Sequence, residues 1–317
     1  MRRLRLLLGL VLCMAVFYSS SEAWNSLGHM TVAYVAYQHL HPTTKKRVAQ
    51  LLKMNPRYHE WLSKIPADTS QARKDMMVFV LAATWPDEIK GDATYKNDGP
   101  AGGNRPPDGP TASQNIGYQD HLRHKYWHFV DQPFSQDGTP VTEMPLPNAQ
   151  TEIALMRKAI ASDATDDVKS YDLVWLLHLV GDIHQPLHCA TRFTTDEKNG
   201  DSGGNTVKIC QGKNCKGELH AFWDGLLGTS DDPSAAVIAG KKLAPADATL
   251  AGDNNEADWA KESFDLAQSK GYVAPIQDGD GPFTLTVAYR TSAKKIGAQR
   301  VALAGARLAN LLNDELK

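Results

Sequence analysis

The sequence predicts an all-α, mostly helical single domain with long loops and at most a short β-hairpin. Three features predict it. Most segments repeat apolar residues at helical spacing, alternating β patterns are almost absent, and nothing recurs at a fixed longer period. With 317 residues, 42% of them apolar, the chain can bury a large core.

Residues 1–23 read as a signal peptide and are set aside, leaving 24–317 as the folded domain. MRRLR supplies a positive start, LLLGLVLCMAVFY an apolar stretch and SSSEA a small-residue cleavage site. Ser21 and Ala23 fit the positions three and one before the cut, so the mature chain is expected to begin at Trp24. Cys13 follows Leu12 inside the apolar run and does not read as a lipid-attachment site. The expectation is export, periplasmic or fully secreted. No window after residue 30 holds 18 consecutive apolar residues, which argues against a transmembrane helix in the mature chain.

The elements follow in order. SLGHMTVAYVAYQHL (26–40) and TTKKRVAQLLKM (43–54) read as two amphipathic helices joined at Pro42. MMVFVLAATWPDEI keeps apolar helical character up to Pro86. Residues 91–118, centred on GPAGGNRPPDGP, are too long for an ordinary connection and either line a cleft or move. TEIALMRKAIAS and YDLVWLLHLVGDIHQPL are helical again, the second ending or kinking at Pro186. Residues 190–219 read as a second long loop, in which Thr206–Ile209 is the one short strand candidate. ADWAKESFDLAQS and the run from Thr284 to Leu316 close the chain as helices.

Export shapes the cysteine arithmetic. Cys210 and Cys215, with QGKN between them, make a loop-closing disulfide plausible in an oxidising compartment. Cys189 is then left over, a small buried hydrophobe or a free thiol. The formal charge is −2, and removing a leader with three arginines and one glutamate takes it to about −4. There is no basic stripe of the kind that holds duplex nucleic acid by phosphate neutralisation. An anionic substrate must be met by local positive charge, which bound metal can supply.

Chemistry concentrates in WLLHLVGDIHQPLHCA (175–190). His178 and Asp182 stand one helical turn apart on one face. His188 follows the break at Pro186, while His184 falls roughly 160° from Asp182 on a regular helix and is set aside as a non-ligand. The pattern recurs. HAFWD repeats the spacing with His220 and Asp224, TWPDEI brings Asp87 to a helix end, and KYWHFVD joins His128 to Asp131. WNSLGH puts His29 five residues from Trp24, whose freed α-amino group (reference pKa about 7.7–8.0) would yield its proton to a metal at modest cost. A lone histidine is more often a satisfied core group; the recurrence carries the argument. Imidazole and carboxylate without cysteine suit a catalytic zinc.

WNSLGH, WPDEIK, WHFVD, HLVGDIHQPLH, GDSGGN and HAFWD, in this order from Trp24 to Asp224, resemble the zinc-dependent type I single-strand nucleases of the mung bean nuclease kind, the S1/P1 nuclease family. The resemblance implies a helical fold holding three Zn²⁺, of the type shared with zinc phospholipase C. It implies that Asp87, His128, His178 and Asp182 hold one ion. Trp24, through its amino nitrogen and carbonyl oxygen, would hold a second with His29 and Asp182, so that Asp182 bridges the pair. His188, His220 and Asp224 would hold the third. Three Zn²⁺ against three aspartates leave the site net positive despite the acidic chain. By the same resemblance a water between the close pair attacks phosphorus in line, and the third zinc stabilises the departing 3′ oxygen, leaving a 5′-phosphate. Asp131 would orient the nucleophile. Lys90 stands where many members carry Arg and keeps the charge without the planar fork. Phe129 would stack an unpaired base, and Asn205, after Gly203 and Gly204, would contact the nucleotide. The spacing from Asp87 to His128 exceeds that of the fungal enzymes by the 91–118 loop.

The expected substrates are single-stranded DNA and RNA and 3′-nucleotides, with no stable protein partner. A zinc phospholipase C acting on lipid head groups is the competing enzyme, disfavoured by the HQPLH and GGN elements. A zinc-scavenging protein is the non-enzyme alternative; it would give Asp131 no task.

Overall fold

The computed structural model describes residues 24–316, apart from 100–104, 108–109, 145, 278 and 280. The expected signal peptide, with Cys13, and part of the 91–118 loop lie outside the described residues. Twelve α-helices among the described residues carry the fold. They are α1 (Ser26–His39), α2 (Pro42–Leu52), α3 (Tyr58–Ser63), α4 (Gln71–Ala82) and α5 (Trp85–Glu88), then α6 (Ala149–Ala161), α7 (Asp166–Asp182) and α8 (Leu219–Asp224), and finally α9 (Pro233–Lys241), α10 (Ala248–Ala251), α11 (Glu256–Leu266) and α12 (Val287–Glu315). The all-α expectation holds. Pro86 begins a new short helix at α5 rather than ending a long one, as a proline does in a first turn, where its missing N–H is not needed.

Two helices form the interior. α1 is buried on nearly every side, from Leu27 to Tyr37, and packs against α4, α7, α9 and α12. Its start is set by Asn25, whose side chain accepts from the Gly28 amide at 3.2 Å. α7 is buried continuously from Lys169 to Asp182 and packs against α1, α2, α6 and α12. A helix apolar all round belongs in a core. Each buried Leu or Val on it contributes about 1.5–3 kcal/mol. An uncompensated carboxylate in the same place costs several kcal/mol, so His178 and Asp182, both fully buried, need compensation.

Small sheets position the remaining site segments. β1 (Gln132–Ser135) pairs in parallel with β2 (Ala190–Phe193), from Gln132 opposite Ala190 to Ser135 opposite Phe193. β3 (Lys208–Gln211) and β4 (Asn214–Glu218) form an antiparallel hairpin closed by the Cys210–Cys215 disulfide, and β5 (Phe283–Thr284) adds in parallel to β3. Residues 190–219, expected as loop, therefore hold three strands. β2 is buried at all four positions, so it shows no alternation to read. Cys189 is a buried free thiol that donates to the Ile183 carbonyl.

The described part of 91–118 is tied down. Lys96 bridges to Leu122, Ser113 donates to Glu152 at 3.0 Å, Asn115 donates to Asp172 at 3.1 Å, and the Trp127 indole donates to the Ala112 carbonyl at 2.8 Å. These contacts brace the N-terminal half of α7 and the turn that carries His128. Among the described residues no helix is long and apolar enough to cross a membrane.

Candidate metal centre

The last turn of α7 supplies His178 and Asp182, and four other segments converge on it. α5 brings Asp87, a 3₁₀ turn (Lys125–His128) brings His128, a second (Pro186–Cys189) brings His188, and α8 brings His220 and Asp224. β1 and β2 tie two of these together. The Val130 amide donates to the His188 carbonyl at 2.8 Å, and His188 Nδ1 donates to the His128 carbonyl at 2.7 Å. Gly181 makes room on the other side of α7: a Cβ there would lie 2.9 Å from His29 Nδ1.

The first group is four-sided. His128 Nδ1 lies 2.9 Å from His178 Nε2 and 3.0 Å from Asp182 Oδ2; His178 Nε2 lies 3.3 Å from Asp182 Oδ2. Asp87 Oδ1 stands 3.6 Å from His178 Nε2 and 3.9 Å from His128 Nδ1. Nitrogen and oxygen ligands at 2.0–2.1 Å from a tetrahedral zinc are separated by about 3.3–3.4 Å, the middle of this range. Lys90 Nζ sits 2.6 Å from the same Asp87 oxygen.

The second group shares Asp182. Its Oδ1 lies 3.2 Å from His29 Nε2, and neither atom has a hydrogen-bond partner. The His29 ring stacks on His178 with centroids 3.7 Å apart, and its ligand atom lies within 4.8 Å of those of Asp87 and His178. Trp24 is fully buried beside it, its indole donating to the Gly181 carbonyl at 3.0 Å. That bond anchors residue 24 over the site. The next amide, of Asn25, donates to the Asp224 carbonyl at 3.4 Å.

The third group is the plainest. His188 Nε2 and His220 Nε2 face each other at 3.0 Å, with Asp224 Oδ1 3.9 Å from the first and Oδ2 3.5 Å from the second. The Nδ1 atoms of both rings point at carbonyls, of His128 and Gly203, each at 2.7 Å. A carbonyl only accepts, so both Nδ1 carry the proton and both Nε2 carry a lone pair in the neutral ring. Two lone pairs at 3.0 Å repel unless a cation lies between them. His178 is set the same way, Nδ1 donating to Ala83 at 2.8 Å and Nε2 aimed at His128. Such outer hydrogen bonds are how ligand imidazoles are oriented for metal.

Electrostatics agree with this arrangement. Burial, with Lys90 adding to it, lowers His128 to about 3; burial lowers His188 to about 4; burial and then His188 lower His220 to about 3. All three are neutral donors at neutral pH. Burial pushes Asp182 up, but His178, His128 and His29 outweigh it and hold the carboxyl well below the usual range. Burial pushes Asp224 well above it, against the hydrogen bond from Gln185; a cation between its Oδ2 and the two imidazoles would restore the carboxylate.

The other expected residues lie around this core. Lys90 reaches it directly through Asp87. Asp131 has a left-handed backbone (φ 51), its Oδ1 is buried without a partner, and burial followed by the Asp201 charge raises it to about 8. Among the described residues its carboxylate makes no bond to a ligand side chain. Phe129 is 9% exposed, with one face stacked on His188, centroids 4.8 Å apart. Asn205 donates to the Ser202 carbonyl at 2.6 Å, within the Gly203–Gly204 loop that receives His220. His184 stands outside every group, between the Val180 carbonyl and Arg307. Sequence reading gave no role to Gln185. Its buried amide donates to Asp224 Oδ1 at 2.6 Å and accepts from the Leu187 amide at 2.6 Å, fixing both the carboxylate and the turn toward His188. Its place between two candidate ligands in HQPLH was the available signal.

Comparison with known proteins gives the same direction. The chain aligns with Endonuclease 1 of Arabidopsis thaliana at 31% identity over 160 residues, 44% of this chain and 48% of that protein. Endonuclease 4 of the same plant is 36% identical over 76 residues, 23% of each, and Endonuclease 5 is 38% identical over 71 residues, 21% of each. The chain thus spans at most about half the length of these relatives. The S1/P1 nuclease family model matches residues 24–317, every motif of the site included, and the chain belongs to that family.

Proposed function

We propose that this protein is an exported zinc-dependent endonuclease that hydrolyses single-stranded DNA and RNA at the 3′ oxygen, giving 5′-phosphate ends, and also acts on 3′-nucleotides. The observation that carries the metal part is the pair of inward lone pairs on His188 and His220 at 3.0 Å, on rings whose other nitrogens are committed to carbonyls. The substrate part rests on the family and on the plant endonucleases it resembles.

The residues fit three zinc ions. Asp87, His128, His178 and Asp182 would hold one; Trp24, His29 and Asp182 a second; His188, His220 and Asp224 a third. Bound zinc supplies Lewis acidity and a water acidified to near neutral pH. Asp182 offers one oxygen to each of the first two groups, which keeps them in register. Lys90 holds Asp87 ionised and adds positive charge where a phosphate would develop negative charge. Asp131 would orient the attacking water. Phe129 keeps water off His188 and offers its remaining edge to a base, and Asn205 would contact the nucleotide.

The test is the mature protein with single-stranded DNA, RNA, 3′-AMP and phosphatidylcholine, with and without chelator. Chelator-sensitive cleavage of the first three is expected. Turnover of phospholipid without nucleic-acid cleavage would overturn the proposal in favour of the phospholipase reading.

A further inference from the structure

The turn that delivers His128 begins at a lysine that no described residue neutralises. Lys125 is half-buried, whereas the three residues after it point inward and are buried. Among the described residues its ammonium has no hydrogen bond and no ion pair. Two residues earlier, Arg123 donates to the Asp92 carbonyl at 2.8 Å and to the Asn97 side-chain oxygen at 3.3 Å, both neutral acceptors. The Asp92 carboxylate is taken by Arg57 at 2.7 Å instead. Among the described residues no carboxylate lies within ion-pair distance of Arg123 or Lys125. Lys90 is the third cation of this group, and among the described residues only it is matched, by Asp87.

These charges sit on fixed backbone. The Arg123 amide donates to the Lys96 carbonyl at 3.0 Å, and His124 is held between Asp98 and Asp120. Solvent reaches the metal-ligand group beside them: the histidine ligands are fully buried, while Asp87 keeps 8% exposure. Burial, Arg123 and Lys90 together lower the Lys125 ammonium below its ordinary range, in keeping with positive charge that no described carboxylate balances. An anion would relieve it.

We propose that Lys125, backed by the fixed Arg123 guanidinium, is a phosphate subsite for the nucleic-acid backbone, engaging the phosphate next to the one held at the metal centre. A 3₁₀ turn rises about 2.0 Å per residue, which sets Lys125 roughly 6 Å along the turn from His128, with a flexible stem to cover the rest. The contact is to backbone phosphate, so it carries no sequence preference and weakens with salt. The inference rests on the nuclease reading, and its test separates the two.

The experiment compares a thymidine dinucleotide, which has one phosphate, with an oligothymidylate of about ten residues. Lys125→Ala should raise KM for the longer substrate about five- to tenfold with kcat nearly unchanged, and leave the dinucleotide unaffected. The plot of log KM against log salt should become shallower by about 0.7. Lys125→Arg should restore both. Binding of labelled oligothymidylate to the metal-stripped protein gives a second readout, and it should weaken by the same factor. Equal losses on both substrates, or unchanged binding, would overturn the subsite. Cleavage of neither substrate by the unmodified protein would refute the nuclease reading, while the binding measurement still decides the subsite.

Discussion

His178 and His184 lie six residues apart at the end of one helix, and by most measures they are the same residue. Both are fully buried, and each donates through Nδ1 to a carbonyl, Ala83 at 2.8 Å and Val180 at 2.7 Å. They differ in what Nε2 meets. For His184 it is a donor, Arg307 Nη1 at 3.0 Å, and the pair is closed. For His178 it is a second imidazole and two carboxylates: His128 Nδ1, Asp182 Oδ2 and Asp87 Oδ1 at 2.9, 3.3 and 3.6 Å. Neither burial nor an anchored Nδ1 marks a functional histidine. The mark is a convergence of imidazole nitrogens and carboxylate oxygens in which, among the described residues, only Asp87 meets a fixed cation, Lys90, so that a further cation is needed to complete the cluster in a core.

The largest effect should come from Asp182→Asn, which removes the carboxylate shared by two of the three groups. Metal content measured on the dialysed protein should fall from three equivalents toward one, and cleavage of single-stranded DNA by about a thousandfold or more. A variant that kept full metal and activity would erase the contrast with His184.

Arg307→Leu probes the closed side. Arg307 gives Glu262 two hydrogen bonds at 2.8 Å and donates to His184 Nε2 at 3.0 Å. Breaking a fully buried pair costs about 3–5 kcal/mol; Glu262 is partly exposed and keeps Arg300, so the loss should fall below that range, and a lowered Tm should report it. Metal content of the folded fraction should stay unchanged. His184→Ala should behave likewise, smaller, at about 1–3 kcal/mol for the unpaired Arg307 contact and the lost packing on Trp259. Loss of zinc in either variant would show that the two environments are coupled.

The same contrast explains what was legible in the sequence. Helical periodicity and the i, i+4 spacings are local, so the helices and the His178–Asp182 and His220–Asp224 pairs could be read directly. The long-range closures could not. Strands of four residues carry too few positions to show a period, and β2, buried throughout, shows none. Yet the β1–β2 pairing is what sets His128 against His188. Gln185 and Gly181 matter through partners 39 and 152 residues away, Asp224 and His29, which no local window contains. Phe129 shows the same limit: its residue type suggests a stacking surface, but that one face of its ring packs on His188 is a contact between residues 59 positions apart.

The smallest expected effect is in the pH dependence of the metal-free fold. His188 and His220 have pKa values lowered to about 4 and about 3 by burial, against about 6.5 in the unfolded chain. Above pH 6.5 both states are neutral and the difference is silent. As pH falls below 6.5 the unfolded chain takes up protons that the native core refuses, so stability drops down to the native values, by up to about 1.4 kcal/mol per pH unit for each residue. Burial raises Asp131 and Asp224, whose titration runs the other way, so the comparison must be between variants. Urea unfolding of the metal-stripped protein and of His188→Gln at pH 7, 6 and 5 isolates the term: the variant should lose about 1 kcal/mol less per unit over the lower interval. Identical slopes would mean that a proton already sits between His188 and His220 in the metal-free state. The lone-pair opposition would then mark a proton site rather than a metal site.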